Sequence, residues 1–172
     1  MKPTHVLRTL RILRMRRMLL LALTAAAATS ATACSGSSDG PLAPNIETTT
    51  FAATLGVNIA GSTKTSTGLY YRDITVGSGA AVTSGMALTV RYTGWLPNGT
   101  QFDANQSPAT PFAFTVGVGQ VIAGWDQGFV GMKVGGRRQL VIPPSLGYGS
   151  QSAGSIPANS ILVFTVDVLT AR

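Results

Sequence analysis

From Thr67 onward, apolar and polar residues alternate in short runs broken by glycine, proline and asparagine, the pattern of strands joined by turns. Gly68 to Val76 alternates and ends at Gly77-Ser78-Gly79, and Ala87 to Leu96 predicts a second strand. Pro97-Asn98-Gly99-Thr100 reads as a turn whose Asn-Gly pair tolerates positive φ, after which Gln101 to Asp103 begins the return. Phe112-Ala113-Phe114 alternates again. Arg137 to Ile142 and Ile161 to Leu169 complete the set, the last placing Leu162, Phe164, Val166 and Val168 on one face. Only one segment suits a helix, about Ala123 to Met132, where Trp125, Phe129 and Met132 recur at helical spacing before Gly135-Gly136. One short helix against an antiparallel sheet linked by short turns predicts a single α+β domain over residues 67–172.

The first third of the chain has a different texture. Lys2, Arg8, Arg11, Arg14, Arg16 and Arg17 precede an apolar run from Met18 to Ala28 and small residues up to Ala33, the layout of a signal peptide over residues 1–33. Translation from Met1 or from Met15 both leave a complete signal, and Arg16-Arg17 also fits a twin-arginine form. At Ala31-Thr32-Ala33-Cys34 the A-x-A pattern suits an ordinary signal peptidase. A small pair before the sole cysteine suits a bacterial lipobox, with Ala31 where leucine is usual. Lipidation of Cys34 would anchor the protein, since each buried methylene contributes about 0.8 kcal/mol and several acyl chains act together. Residues 34–66 then read as a flexible tether and N-terminal extension. Ser35 to Thr50 is rich in Ser, Thr, Gly and Pro, whereas Phe51, Leu55, Val57 and Ile59 could either dock on the domain or stay disordered.

Charge changes meaning once the export segment is set aside. Six of the 13 basic residues precede Cys34 and all six acids follow it, so the net charge falls from +7 to +1. The sequence pI of about 10.3 is therefore a property of the signal, and no nucleic-acid partner is expected. The only histidine is His5 and the only cysteine is Cys34. A His-based triad, a His or Cys metal cluster and a thiolate nucleophile are all closed to the domain, so if it is an enzyme it works mostly by shape, desolvation and hydrogen bonding. The reading calls for no cofactor and no metal.

Three segments carry the chemistry: VRYTGWLPNGTQFD (Val90 to Asp103), GQVIAGWDQGFVGMKVGG (Gly119 to Gly136) and VIPPSLGYG (Val141 to Gly149). Their order and spacing resemble the macrolide-binding peptidyl-prolyl isomerases, the FKBP family, over about Thr67 to Arg172. The resemblance implies a highly twisted antiparallel sheet wrapped around one short helix, with a cleft between them. By the same resemblance, Tyr92, Phe102, Asp103, Ile122, Trp125 and Tyr148 would be catalytic and Phe112, Val121, Ile156 and Phe164 would bind substrate. Trp125 would form the floor and Phe102, Phe112 and Phe164 the walls. Ile122 would offer its backbone N–H, Tyr148 its hydroxyl, and Phe114 would pack beneath.

The implied activity is rotation of X-Pro amides, assisting protein folding outside the cytoplasm. An alternative is a non-catalytic module that holds proline-containing partners in the same cleft. Expected partners are proline-containing polypeptides, macrolide ligands, and a membrane reached through Cys34; the expected location is the cell envelope. Taken one at a time, the aromatics could equally be core. Asp103 reads either as a turn-capping carboxylate or as a negative potential beside the rotating carbonyl. Arg137 and Arg138 read as solvated strand-edge charges. Two departures from the family pattern bear on substrate preference and macrolide affinity. No cation lies between Asp103 and Phe112, and Leu146 stands where several relatives carry an aromatic.

Overall fold

Leu162-Val163-Phe164 places three apolar residues in succession, and successive strand residues point to opposite faces, so a strand holding them needs cover on both sides. The computed structural model, which describes residues 43–172, supplies that cover. The expected signal segment and Cys34 lie outside the described residues.

Seven strands and one helix follow in the order β1 (Thr63–Lys64), β2 (Tyr70–Thr75), β3 (Ala87–Trp95), β4 (Gln101–Asn105), β5 (Phe112–Thr115), α1 (Ala123–Gly128), β6 (Arg137–Ile142) and β7 (Leu162–Ala171). All pairings are antiparallel, in the sheet order β1-β2-β6-β7-β3-β4. β3 is long enough to serve two partners on one edge. Ala87 to Val90 pair with β5, and Tyr92 to Trp95 with β4. The split falls at Arg91, which pairs with neither.

On one face, Leu140, Ile142, Leu162, Phe164, Val166 and Val168 pack with Trp125, Phe129 and Met132 into the main core. The helix lies close because Gly124 and Gly128 face the sheet. A Cβ on Gly124 would stand 2.5 Å from Ile142 Cγ2, and one on Gly128 would stand 2.8 Å from Leu140 Cδ2. The helix ends at Gly128, short of the expected Met132. Gly131 takes φ +81° and its N–H donates to the Val82 carbonyl, so the chain leaves the helix while Phe129 and Met132 remain in the core.

The opposite face is covered by the segment before β1. Ile46 is buried with Tyr70, Val141, Ile161 and Val163, and Phe51, Leu55, Val57 and Ile59 pack around them. Polar ties hold this strap in place. The Gln139 amide donates to the Leu55 carbonyl at 2.7 Å, Arg72 Nη2 to the Gly56 carbonyl at 3.0 Å, and the Ala52 N–H to the Pro97 carbonyl at 2.8 Å. Glu47 pairs with Lys64 at 2.6 Å. The packed unit therefore begins well before the expected boundary at Thr67, and the segment from Asn45 to Lys64 is a structural layer of the domain.

Arg138 corrects another expectation. It is buried, meets Asp73 through Nε at 2.7 Å and Nη2 at 3.0 Å, donates from Nη1 to the Gly128 carbonyl at 2.9 Å, and lies 4.4 Å over the Tyr71 ring. It fastens the C-terminal end of α1 to the sheet. Arg137 is half-exposed and bonds Asp167 through two nitrogens.

Candidate functional site

Where the sheet curls over α1, a cleft of about 880 Å³ opens. Its lining includes Tyr92, Phe102, Asp103, Phe112, Val121, Ile122, Trp125, Tyr148, Ile156 and Phe164, the ten cleft positions named from the sequence. They come from six separated segments. β3 supplies Tyr92, β4 supplies Phe102 and Asp103, β5 supplies Phe112, the turn into α1 supplies Val121, Ile122 and Trp125, and β7 supplies Phe164, while Tyr148 and Ile156 stand in the loop before β7.

Trp125 lies at the centre of an aromatic cage. Its ring centroid is 4.9 Å from Tyr92, 5.3 Å from Phe164, 6.0 Å from Phe112, 5.3 Å from Phe129 and 5.7 Å from Phe114. Most of these contacts are edge-to-face, the arrangement that aromatic quadrupoles favour by about 0.5–1.5 kcal/mol per pair beyond burial. The indole Nε1 is buried without an acceptor. Phe129 and Phe114 are buried and pack against the indole, so the floor is supported from the core. Phe102 and Phe164 meet at 5.4 Å and 85°. Their approach is possible because residue 94, opposite Asp103 in the ladder, is glycine.

The polar groups are few and placed at the rim. Tyr92 donates its hydroxyl to Asp103 Oδ2 at 2.7 Å. Burial first, and acceptance by the Asp103 carboxylate second, push the phenol well above its ordinary value, so it stays a donor. Asp103 accepts no backbone N–H among the described residues. The β3–β4 turn is held instead by Asn98, whose side chain accepts the Thr100 N–H at 3.0 Å. The Ile122 N–H and the Tyr148 hydroxyl donate to no described protein acceptor. Tyr148 is positioned by its loop, in which the Gly149 N–H donates to the Pro144 carbonyl at 2.9 Å and the Asn159 N–H to the Gly149 carbonyl at 2.7 Å.

Several supporting residues were not singled out from the sequence. Asp126 on α1 accepts the Gly117 N–H at 2.7 Å and the Gly119 N–H at 2.9 Å, and Gln120 accepts the Thr115 N–H at 2.8 Å. Together they fold the β5–α1 loop so that Gly119 and Gln120 form one lip. Ala153, Gly154 and Ser155 form the other. A carboxylate reaching back to amides seven and nine residues earlier leaves no periodic trace; the glycines at 117 and 119 are the signal that could have exposed it.

Comparison with known proteins places this geometry among relatives. Residues 79–169 match the family model described as FKBP-type peptidyl-prolyl cis-trans isomerase. The chain is 50% identical over 103 residues to the FK506-binding protein of Neisseria meningitidis serogroup B, covering 59% of this chain and 94% of that protein. It is 58% identical over 87 residues to FK506-binding protein 2 of Dictyostelium discoideum, covering 50% of this chain and 65% of that one. Among solved structures, the crystal structure of AtFKBP13 is similar with a TM-score of 0.60 at 36% identity, covering 64% of this chain and 98% of that one. FkpA from Escherichia coli is similar with a TM-score of 0.60 at 38% identity, covering 65% of this chain and 52% of that one.

Proposed function

Because the chain belongs to the FKBP family of peptidyl-prolyl cis-trans isomerases, we propose that it catalyses cis-trans rotation of X-Pro amides in the cleft above Trp125. The observation that carries this reading is the convergence of Tyr92, Phe102, Phe112 and Phe164 on the Trp125 floor, with Asp103, Tyr148 and the Ile122 N–H as the polar groups at the opening.

The uncatalysed barrier is about 18–20 kcal/mol because rotation breaks amide resonance. That resonance is charge-separated and stabilised by water, so an aromatic cleft that removes water weakens the planar ground state. The pyrrolidine ring rests on the indole of Trp125 between Phe102, Phe112 and Phe164, and the preceding carbonyl turns above it. The Ile122 N–H and the Tyr148 hydroxyl, both without internal acceptors among the described residues, are free to donate to the peptide. Asp103 places negative potential near the carbonyl carbon, with Tyr92 fixing its orientation. No proton is transferred. A thousandfold acceleration requires only about 4 kcal/mol, within reach of desolvation plus one hydrogen bond made in the twisted form.

The test is isomerisation of an X-Leu-Pro-Phe peptide by the full chain and three variants. Trp125→Leu should reduce kcat/KM moderately and Phe102→Ala more sharply. Asp103→Ala should lower it about 10- to 100-fold, or 1.4 to 2.7 kcal/mol, with melting temperature little changed. A folded wild type with no turnover would make this a proline-peptide binding module. Macrolide ligands belong to the same proposal and would compete with peptide for the cleft.

The same proposal includes export, lipid attachment at Cys34 and a folding role in the cell envelope, supported by the signal-like residues 1–33 and the single cysteine at their end. Cys34→Ser should abolish acyl labelling and release a soluble domain with unchanged turnover. Membrane retention of that variant would end the lipoprotein reading.

A further inference from the structure

The described part of the chain holds five side-chain carboxylates, and four of them meet a cation or backbone amides. Glu47, Asp73 and Asp167 pair with Lys64, Arg138 and Arg137. Asp126 uses both oxygens on backbone amides. Asp103 is the exception. Among the described residues it meets no cation and no amide; its single partner is the neutral hydroxyl of Tyr92, on Oδ2. It is exposed and lines the cleft, and no lysine or arginine lines that cleft with it. A hydroxyl donor orients a carboxylate without cancelling its charge, so the site carries a net negative potential at the spot where a peptide enters.

We propose that Asp103 selects substrates by charge: the cleft takes proline-containing segments with lysine or arginine beside the proline in preference to those with aspartate or glutamate there. This rests on the proline-peptide reading of the cleft and specifies its substrate class. The low-dielectric aromatic walls concentrate the field of a lone carboxylate toward the opening. The rest of the molecule does not mask it, because after residue 34 seven basic residues stand against six acidic ones. An exposed ion pair contributes about 0.2–1 kcal/mol and a like-charge contact costs a similar amount, so Lys and Glu peptides should differ by roughly 2- to 30-fold.

The experiment compares peptides with Lys, Gln or Glu immediately before proline, and a second set with the same residues immediately after it, using the full chain. Both kcat/KM and calorimetric affinity are measured at about 20 mM and about 1 M salt. In at least one set the order should be Lys, then Gln, then Glu at low salt, with the Lys-to-Glu ratio collapsing toward one at 1 M, where the Debye length is about 3 Å. Asp103→Asn should flatten the ratio whatever it does to absolute turnover, since the ratio is taken within one protein. Equal Lys and Glu values in both sets for the wild type, or a Lys preference that survives Asp103→Asn, overturns the proposal. Turnover of the Gln peptides judges the isomerase reading separately; if it is absent, the affinities alone decide the charge preference.

Discussion

Gly94→Ala tests whether the cleft walls are as closely built as the geometry says. A Cβ at this position would stand 2.6 Å from Phe164 Cε1 and 2.7 Å from Phe102 Cε2 and Cζ, whereas ordinary contact begins at 3.4 Å. Two effects oppose each other. In a strand interior, replacing glycine by alanine normally stabilises by about 0.5–1 kcal/mol through the unfolded chain. Here the methyl must push two rings about 0.7 Å or more, and neither can retreat freely, because Phe164 is buried against Trp125 and Phe102 packs on Phe164. Overpacking of this kind costs about 1–3 kcal/mol, so it should win. For a domain of this size the melting temperature should fall by roughly 5–10 °C. Turnover should fall about tenfold or more, since misplacement of a positioning wall by about 1 Å can cost a hundredfold. Thermal melts and the X-Leu-Pro-Phe assay measure both. Adding Phe102→Leu to Gly94→Ala should restore part of the stability, because it removes the ring atoms that the new methyl meets, and the two changes should therefore be non-additive. A Gly94→Ala protein that melts no lower than wild type and turns over normally would refute the wall geometry.

The remaining predictions concern the layers behind the cleft. A chain shortened to begin at Ser62 uncovers Tyr70, Val141, Ile161 and Val163, and should lose about 3 kcal/mol or more of stability in urea melts, since fully burying each large aliphatic side chain contributes about 1.5–3 kcal/mol. Acid should loosen the strap first at Glu47, whose carboxyl is held below its ordinary 4.5 by the hydrogen bond from Lys64 and then by that from Tyr70. The contribution is present above pH 4.5 and disappears as pH falls through the lowered value, which an NMR titration following Ile46 would register; shifts at Ile46 that are complete before pH drops below 4.5 would contradict it. Asp73→Asn leaves Arg138 buried without its anion and should cost about 1–3 kcal/mol, less than for a fully buried pair because the Asp73 side chain is 35% exposed. An unchanged urea midpoint would mean the pair does not fasten α1 to the sheet.

How much of this could be read from the sequence depends on the range over which each feature is specified. The strands after Thr67 follow from period-two patterning, and Leu162, Phe164, Val166 and Val168 do share the core face. The start of the helix was legible because Trp125 and Phe129 are one turn apart, but its end was not. Val130 and Gly131 leave the helix through a hydrogen bond to Val82, a residue roughly fifty positions earlier with no local sign of that role. The burial of Arg138 is hidden from the sequence for a related reason. Beside the exposed Arg137 on a strand it looks like one of a solvated pair, and its burial is set by Asp73 and by two carbonyls at the end of α1. The cleft positions came from motif resemblance; alternation alone could not separate Phe102 from Phe114, since both are aromatic residues in strands and only tertiary placement distinguishes wall from support.

The strap shows where such information resides when a segment has none of its own. Of Ile46, Phe51, Leu55, Val57 and Ile59 only the last three alternate, over a run of five residues, and no one period spans the set, so residues 45–64 by themselves look like linker. The strands they cover are more telling. Arg137 is the only exposed residue of β6, and β7 opens with three buried residues in succession, so both faces of these central strands are dry. A small sheet with one short helix can cover only one face, and leaving Val141 and Val163 in water would forfeit several kcal/mol. The apolar runs in β6 and β7 therefore demand a second layer before any candidate for it is identified. The strap is the available apolar segment, and its tie to Pro97 brings that layer to the turn that leads into Phe102 and Asp103. Shortening the chain should consequently disturb the cleft wall as well as the hidden face, and loss of turnover on removal of residues before Ser62, at temperatures where the shortened domain remains folded, is the outcome this connection requires.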